Sequence, residues 1–254
     1  MKIEQLESLL EEDLGWRKKE LSSLTLIAEQ HNDEVILKSI ILLLYAHWEG
    51  YIKKSSKLYL RYISESRLSL NELTDNFKAV ALKNIISQCF NSIDSLTLQN
   101  EITVINSFSE EKKKKFKVDI DIDNDFEKTF IDTQSNLNPK VFKNLLSIIG
   151  LNYKAQMKSK EIYIDKYLLS NRNLISHGGK YQNKEDTDFC LELNDIKKLR
   201  DIIFSIIDNF KEEIIEYAVN SFYLSSKEAE CAVFLQKKEI DLERVFKEID
   251  AKYQ

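Results

Sequence analysis

The stretch "SNRNLISHGGKY", residues 170 to 181, gathers two of the chain's five glycines and one of its three histidines at the end of one helix-forming segment. Gly178 and Gly179 read as the stop, because glycine enters the left-handed conformation that closes a helix at little steric cost. His177 then falls in the last turn, where the negative end of the macrodipole favours an imidazolium. Asn173 and His177 share a face, as do Arg172 and Ser176, whereas Arg172 and His177 stand about 140° apart. A helix stop needs a glycine, but it does not need an arginine five residues before a histidine. That surplus points to chemistry.

Outward from this segment, other helices announce themselves by apolar spacing and punctuation. "NPKVFKNLLSIIG" has Asn138 as N-cap, Pro139 in the first turn and Gly150 as its end. A helix is expected over about 161–177, and a long one from Asn194 to about Phe222. A final helix opens at Ser225 and Glu228, which are spaced as a capping box. At the N-terminus, apolar residues recur at three- and four-residue steps over 2–28. A polar break at 31–33, with Asn32 or Asp33 as cap, precedes a second helix over 35–64, and the two are expected to pair antiparallel. Residues 69–90 form a third helix, broken near Asp75.

Residues 91–137 are less regular and read as an insertion within a single domain spanning 1–254. Within it Val118, Ile120 and Ile122 alternate with polar residues, the period of a strand. The chain holds one proline and five glycines, with 43% hydrophobic and 31% charged residues, the composition of long helices with few tight turns. The expected fold class is therefore all-α, an up-and-down helical bundle with additional helices and a small irregular insertion.

Net charge is −5, so nucleic acid would have to be held by local basic groups, not by the surface as a whole. Cys89, Cys190 and Cys231 are odd in number and far apart, which fits small buried thiols in a reducing cytoplasm better than disulfides or zinc. No apolar leader region opens the chain, and the longest apolar stretch, 35–45, is interrupted by Lys38 and Ser39, so neither export nor membrane spanning is expected. No metal-ligand cluster, phosphate-binding glycine loop or cofactor motif is present in the sequence. Cofactors and metals are expected to be absent.

Cleaving RNA through the ribose 2′-OH needs a base, an acid for the leaving oxygen and a cation for the extra charge on phosphorus. Histidine, with an unperturbed pKa of about 6.5, suits the proton transfers, and arginine grips phosphate through two parallel hydrogen bonds. One chain carries one such histidine. Two copies related by a two-fold axis would place two histidines and two arginines around one cleft, so a homodimer is implied.

"RNLISH", 172–177, resembles the signature of the HEPN superfamily, which is an arginine, a polar residue, a few further positions and a histidine near the end of a late helix. "LLYAHWEGYIKK", 43–54, is similar to the Ala-His-Trp-Glu-Gly segment on an early helix of the RiboL-PSP-HEPN branch of these nucleases. About 20 residues carry the resemblance; 91–137 and the C-terminal helix have no signature. The resemblance implies a dimeric helical bundle with metal-independent endoribonuclease activity, often in toxin–antitoxin or antiviral defence systems. RNA is then the substrate, and an antitoxin or another defence protein a partner. It assigns catalysis to Arg172 and His177 with Asn173 as the supporting polar residue, and an outer role to Ser176, His47, Trp48 and Glu49. The alternative is a noncatalytic HEPN-like module that binds a protein or nucleotide.

Blander readings stand beside these. His177 could simply complement a helix end, with Arg172 in a salt bridge elsewhere. Tyr45 and Trp48 suit a core, Glu49 could pair with Lys53 one turn on, and the run Lys112–Lys115 has the character of a solvated surface.

Overall fold

The computed structural model describes residues 1–31, 33–90, 98–111, 114–122, 124, 130–179 and 192–253. Two long helices, α1 (Ile3–His31) and α2 (Glu34–Glu65), meet at Asp33, whose side chain accepts the Val35 N–H at 2.7 Å and starts α2. They run antiparallel, because Met1 reaches Glu65, the Tyr51 hydroxyl reaches the Leu10 carbonyl, and Arg17 reaches His47. α9 (Leu193–Val219) lies antiparallel to α1, tied by Lys18–Asp208, Lys197–Glu29 and Lys211–Glu11. It therefore runs parallel to α2. α10 (Glu228–Lys252) turns back along α9 through Lys238–Glu212 and Lys252–Asp201.

α2 is the axis of the core. Ile40, Ile41, Leu44, Tyr51, Ile52, Tyr59 and Ile63 are inaccessible to solvent, and full burial of a large apolar side chain stabilises by about 1.5–3 kcal/mol. By length and composition α2 could cross a bilayer, although the interrupted apolar stretch at its start argued otherwise. Here α1, α5, α8 and α9 pack around it, which accounts for its apolar character.

Between α2 and α9 the chain forms α3 (Asp75–Phe90), α4 (Gln99–Glu111), α5 (Pro139–Ile149), α6 (Ala155–Ser159), α7 (Glu161–Ile164), a π-helical turn (Asp165–Leu169) and α8 (Ser170–Ser176). α5 is capped as its sequence requires: Asn138 Oδ1 accepts the Val141 N–H at 2.9 Å, and Gly150 closes the helix at φ +78°.

Several expectations are corrected. The third helix begins only at Asp75, because the preceding backbone is committed elsewhere. Leu70 N–H donates to Lys114 O and Phe116 N–H to Leu68 O, while Thr74 N–H donates to Tyr223 O. Ser225 builds no capping box with Glu228, since its backbone N–H and hydroxyl both donate to Glu72 O. The alternation at Val118, Ile120 and Ile122 is real as a half-buried face, yet among the described residues it makes no strand. The Val118 N–H and carbonyl are both satisfied by the Ser64 hydroxyl. The irregular stretch also holds α4, which its composition did not announce. Cys231 is half-buried with its thiol donating to the Tyr217 hydroxyl. Asn32, Lys112, Lys113, Cys190 and the Cys89 side chain lie outside what is described.

Candidate active site

The expected helix over 161–177 is interrupted before it reaches Arg172. Five residues, Asp165–Leu169, are π-helical, and the Ser170 N–H bonds back to Asp165 O. Such a turn rotates everything after it relative to a regular helix, so the directions of Arg172 and His177 could not be computed from 161 onward. α8 ends as its glycines demand. Gly178 adopts φ +72°, its N–H donates to Ile175 O at 3.1 Å, and the Gly179 N–H donates to Leu174 O at 2.9 Å. These are the two bonds of a Schellman closure. A Cβ on Gly179 would lie 2.3 Å from Leu174 Cδ1 and 3.0 Å from its carbonyl oxygen, so the positive φ favours glycine at 178 and the close approach of Leu174 favours it at 179.

His177 is the residue that caps this turn, at φ −93° and ψ 12°, and its side chain is exposed. Leu174, within one turn of His177, is also exposed.

Arg172 is half-buried and held from three directions. Its Nη1 donates to Asn173 Oδ1 at 2.7 Å and its Nη2 to the Ser135 carbonyl at 3.0 Å, and its guanidinium carbon lies 4.1 Å from the centre of the Tyr45 ring. A guanidinium has five N–H groups, so among the described residues two bonds leave three for a ligand. Asn173 acts on its sequence neighbour, and the Ser176 hydroxyl donates to the Asn173 carbonyl at 3.1 Å.

Ser135 belongs to the end of the supposed insertion. Gln134 and Ser135 are both left-handed, at φ +54° and +55°, a conformation that costs a non-glycine residue about 1–2 kcal/mol. The Gln134 N–H is turned onto Asp132 Oδ1, and the next residues are gripped by α2. The Leu137 N–H donates to the Tyr45 hydroxyl at 2.9 Å, and Trp48 Nε1 donates to the Leu137 carbonyl at 3.2 Å. Trp48 also meets the Phe142 ring edge-on, so it is a core anchor for this loop. Burial is the main cause that pushes the Tyr45 phenol up to about 12; Glu49 adds to the rise, while the Leu137 N–H and Arg172 oppose it. The hydroxyl therefore keeps its proton at neutral pH. Glu49 Oε1 is buried without a hydrogen-bond partner.

α2 splits the Ala-His-Trp-Glu-Gly segment between two faces. Tyr45, Trp48 and Glu49 turn toward Arg172 and its loop, whereas His47 turns toward α1. There it contacts Arg17 Nη1 at 3.4 Å and the Trp16 ring edge-on, with Glu20 Oε2 at 2.9 Å from Nε2 but not aligned as a hydrogen bond. Burial, followed by the Arg17 charge, holds His47 below its ordinary 6.5 against Glu20 and Asp13. Burial alone would raise Asp13, yet hydrogen bonds from Arg17 and Lys54 hold it below 3.8. Gly50 completes this side, because a Cβ there would stand 2.9 Å from Arg17 Nη1.

The structure thus brings Arg172 and Trp48 to one loop, with Asn173 on the guanidinium and Glu49 beside Tyr45, leaves Ser176 and His177 at the exposed end of α8, and places His47 elsewhere. Tyr45 and Ser135 are the members that sequence reasoning missed. Tyr45 stood on the same α2 stripe as Glu49, which was the available signal; Ser135 contributes a backbone carbonyl, and no side-chain pattern marks that. Among the described residues no three His, Cys, Asp or Glu side chains are grouped to hold a metal ion.

The all-α bundle and its arginine–histidine helix end define a HEPN domain. The model of the MAE_28990-like HEPN family matches residues 6–223, from α1 to just beyond α9, and the chain belongs to the HEPN family. HEPN domains are typically metal-independent ribonucleases. α10 lies beyond the matched span. No curated protein and no solved structure matches the chain.

Proposed function

We propose that the protein is a metal-independent endoribonuclease that works as a homodimer, with Arg172 and His177 of both subunits lining one cleft. The observation that carries this reading is the state of Arg172. It is fixed by three contacts, has three N–H groups without a partner among the described residues, and lies five residues before an exposed histidine on the same helix. The Ala46–Gly50 segment supports a relation to the RiboL-PSP-type nucleases.

In the cleft one imidazole takes the proton of the ribose 2′-OH as the oxygen attacks phosphorus. The P–O5′ bond breaks, the second imidazolium protonates the leaving oxygen, and the products are a 2′,3′-cyclic phosphate and a 5′-hydroxyl. The two guanidinium groups stabilise the extra negative charge of the phosphorane. Asn173 holds Arg172 in place. A toxin or anti-phage effector in the cytoplasm, restrained by an antitoxin or released by a trigger, is the role that fits such an activity.

RNA incubated with the purified dimer in EDTA tests the proposal. Cleavage that disappears in His177→Ala, with the fold and dimer intact, is expected. Intact RNA, or equal cutting by His177→Ala, would overturn it and favour a noncatalytic binding module.

A further inference from the structure

We propose that Tyr45 is a positioning residue for Arg172, setting the direction of the guanidinium through its ring and through the loop carbonyl its hydroxyl fixes. This rests on the reading of Arg172 as the phosphate-binding cation, and extends the site to a residue that no signature of the helix end contains.

Three groups hold Arg172, and two of them pass through Tyr45. The ring is the platform on which the guanidinium lies, at 4.1 Å. The hydroxyl donates to the Ser135 carbonyl at 3.4 Å, the same oxygen that accepts Arg172 Nη2 at 3.0 Å. It also accepts the Leu137 N–H at 2.9 Å, and one turn further along α2 Trp48 takes the Leu137 carbonyl. The loop carrying Ser135 is therefore pinned to α2 on both sides of Leu137. This explains how two consecutive left-handed residues, Gln134 and Ser135, persist without glycine. Strain held by surrounding contacts at a ligand-binding group is the mark of preorganisation.

The consequence is directional. With Nη1 bound to Asn173 and Nη2 to Ser135, the Nε–H and one N–H on each terminal nitrogen stay available, on a fork that cannot swing. An arginine left to rotate would have to be ordered by the phosphate in each turnover, and stabilisation of the transition state would fall.

The test uses the full-length protein with Tyr45→Leu, Tyr45→Met and Tyr45→Phe. Tyr45→Met is the safeguard for folding, since it fills the buried volume without a ring. Loss of the platform should lower kcat about tenfold, the order expected for a partly desolvated cation–π contact, with little change in KM. Tyr45→Phe restores the platform but leaves the Leu137 N–H and the Ser135 carbonyl without the hydroxyl, so its loss of kcat should fall between wild type and Tyr45→Met. A second readout needs no activity: the Arg172 side-chain nitrogen resonances in ¹⁵N NMR. Wild type should show separate Nη signals from a guanidinium that rotates slowly. These should merge in Tyr45→Leu and Tyr45→Met while the backbone amide spectrum is retained, and remain separate in Tyr45→Phe.

Separate Nη signals in a folded ring-less variant, or wild-type kcat in that variant, would overturn the proposal. So would a loss in Tyr45→Phe equal to that in Tyr45→Met. If wild type fails to cut RNA while the Nη signals behave as stated, the nuclease reading falls and the positioning role stands.

Discussion

Gly50→Ala should destabilise this protein, although alanine is the better helix former. In the middle of α2 the substitution alone should stabilise by about 1 kcal/mol. The structure opposes that gain. The new Cβ would stand 2.9 Å from Arg17 Nη1, 3.3 Å from Nη2 and 3.4 Å from Cζ, so the guanidinium must move. An exposed arginine would swing away freely. Arg17 is only 8% exposed, however, and its Nε donates to Asp13 Oδ2 at 2.8 Å, with Asp13 itself 3% exposed. Losing a hydrogen bond between charged groups costs about 1.5–3 kcal/mol, which exceeds the propensity gain and leaves a net loss of about 0.5–2 kcal/mol. For a chain of this size that lowers Tm by roughly 1–8 °C. Thermal melts of wild type, Gly50→Ala, Arg17→Ala and the double variant, at one protein concentration, measure it. In the Arg17→Ala background the obstacle is gone, and Gly50→Ala should then stabilise by about 1 kcal/mol. A higher Tm for Gly50→Ala in the wild-type background, or the same sign in both backgrounds, would refute the reasoning.

Arg172→Lys should reduce RNA cleavage by roughly 10–100-fold with an unchanged melt, because lysine keeps the charge and loses the planar fork; near-normal cleavage would show that charge alone suffices. His47 has its folded pKa below 6.5, so its contribution is complete above about pH 6.5 and is lost as pH falls through the folded value. Urea midpoints should therefore decline between pH 7 and 5 in wild type and less so in His47→Gln; equal slopes would sink this assignment. Asp13, Asp201 and Asp250 are each held below 3.8 by basic partners despite burial, so their contributions persist above 3.8 and disappear below it. Lys154 and Glu213 form an ion pair with side chains 2% and 1% exposed. Lys154→Met should cost about 3–5 kcal/mol in urea denaturation by stranding the carboxylate, and Lys154→Met with Glu213→Leu should recover most of it; equal losses would contradict a buried pair.

Much of the site was legible because it is local. The closure of α8 by Gly178 and Gly179, the Asn173–Ser176 neighbourhood and the position of His177 at the helix end all depend on residues within one turn of each other. The caps of α5 were legible for the same reason. Where expectation failed, a distant backbone intervened. Glu72 takes both donors of Ser225, and the backbone of 68–74 pairs with 114–116 and 223–225 where a helix was expected. Residues 131–137 read only as the end of an insertion, yet they deliver the Ser135 carbonyl to Arg172.

Apolar periodicity, scarce proline and glycine, and side chains that cap within one turn determined from sequence alone that this chain is a helical bundle ending one helix in an arginine–histidine pair. Which faces those side chains meet was decided by tertiary structure. The π-helical turn before Ser170 rotates Arg172, α2 sends His47 to α1 and Glu49 to the other side, and Tyr45 and Ser135 converge on one guanidinium. Helix formation is governed by neighbours three and four residues apart, whereas the aim of a charged group depends on ring faces and carbonyls that meet it only once the chain has packed.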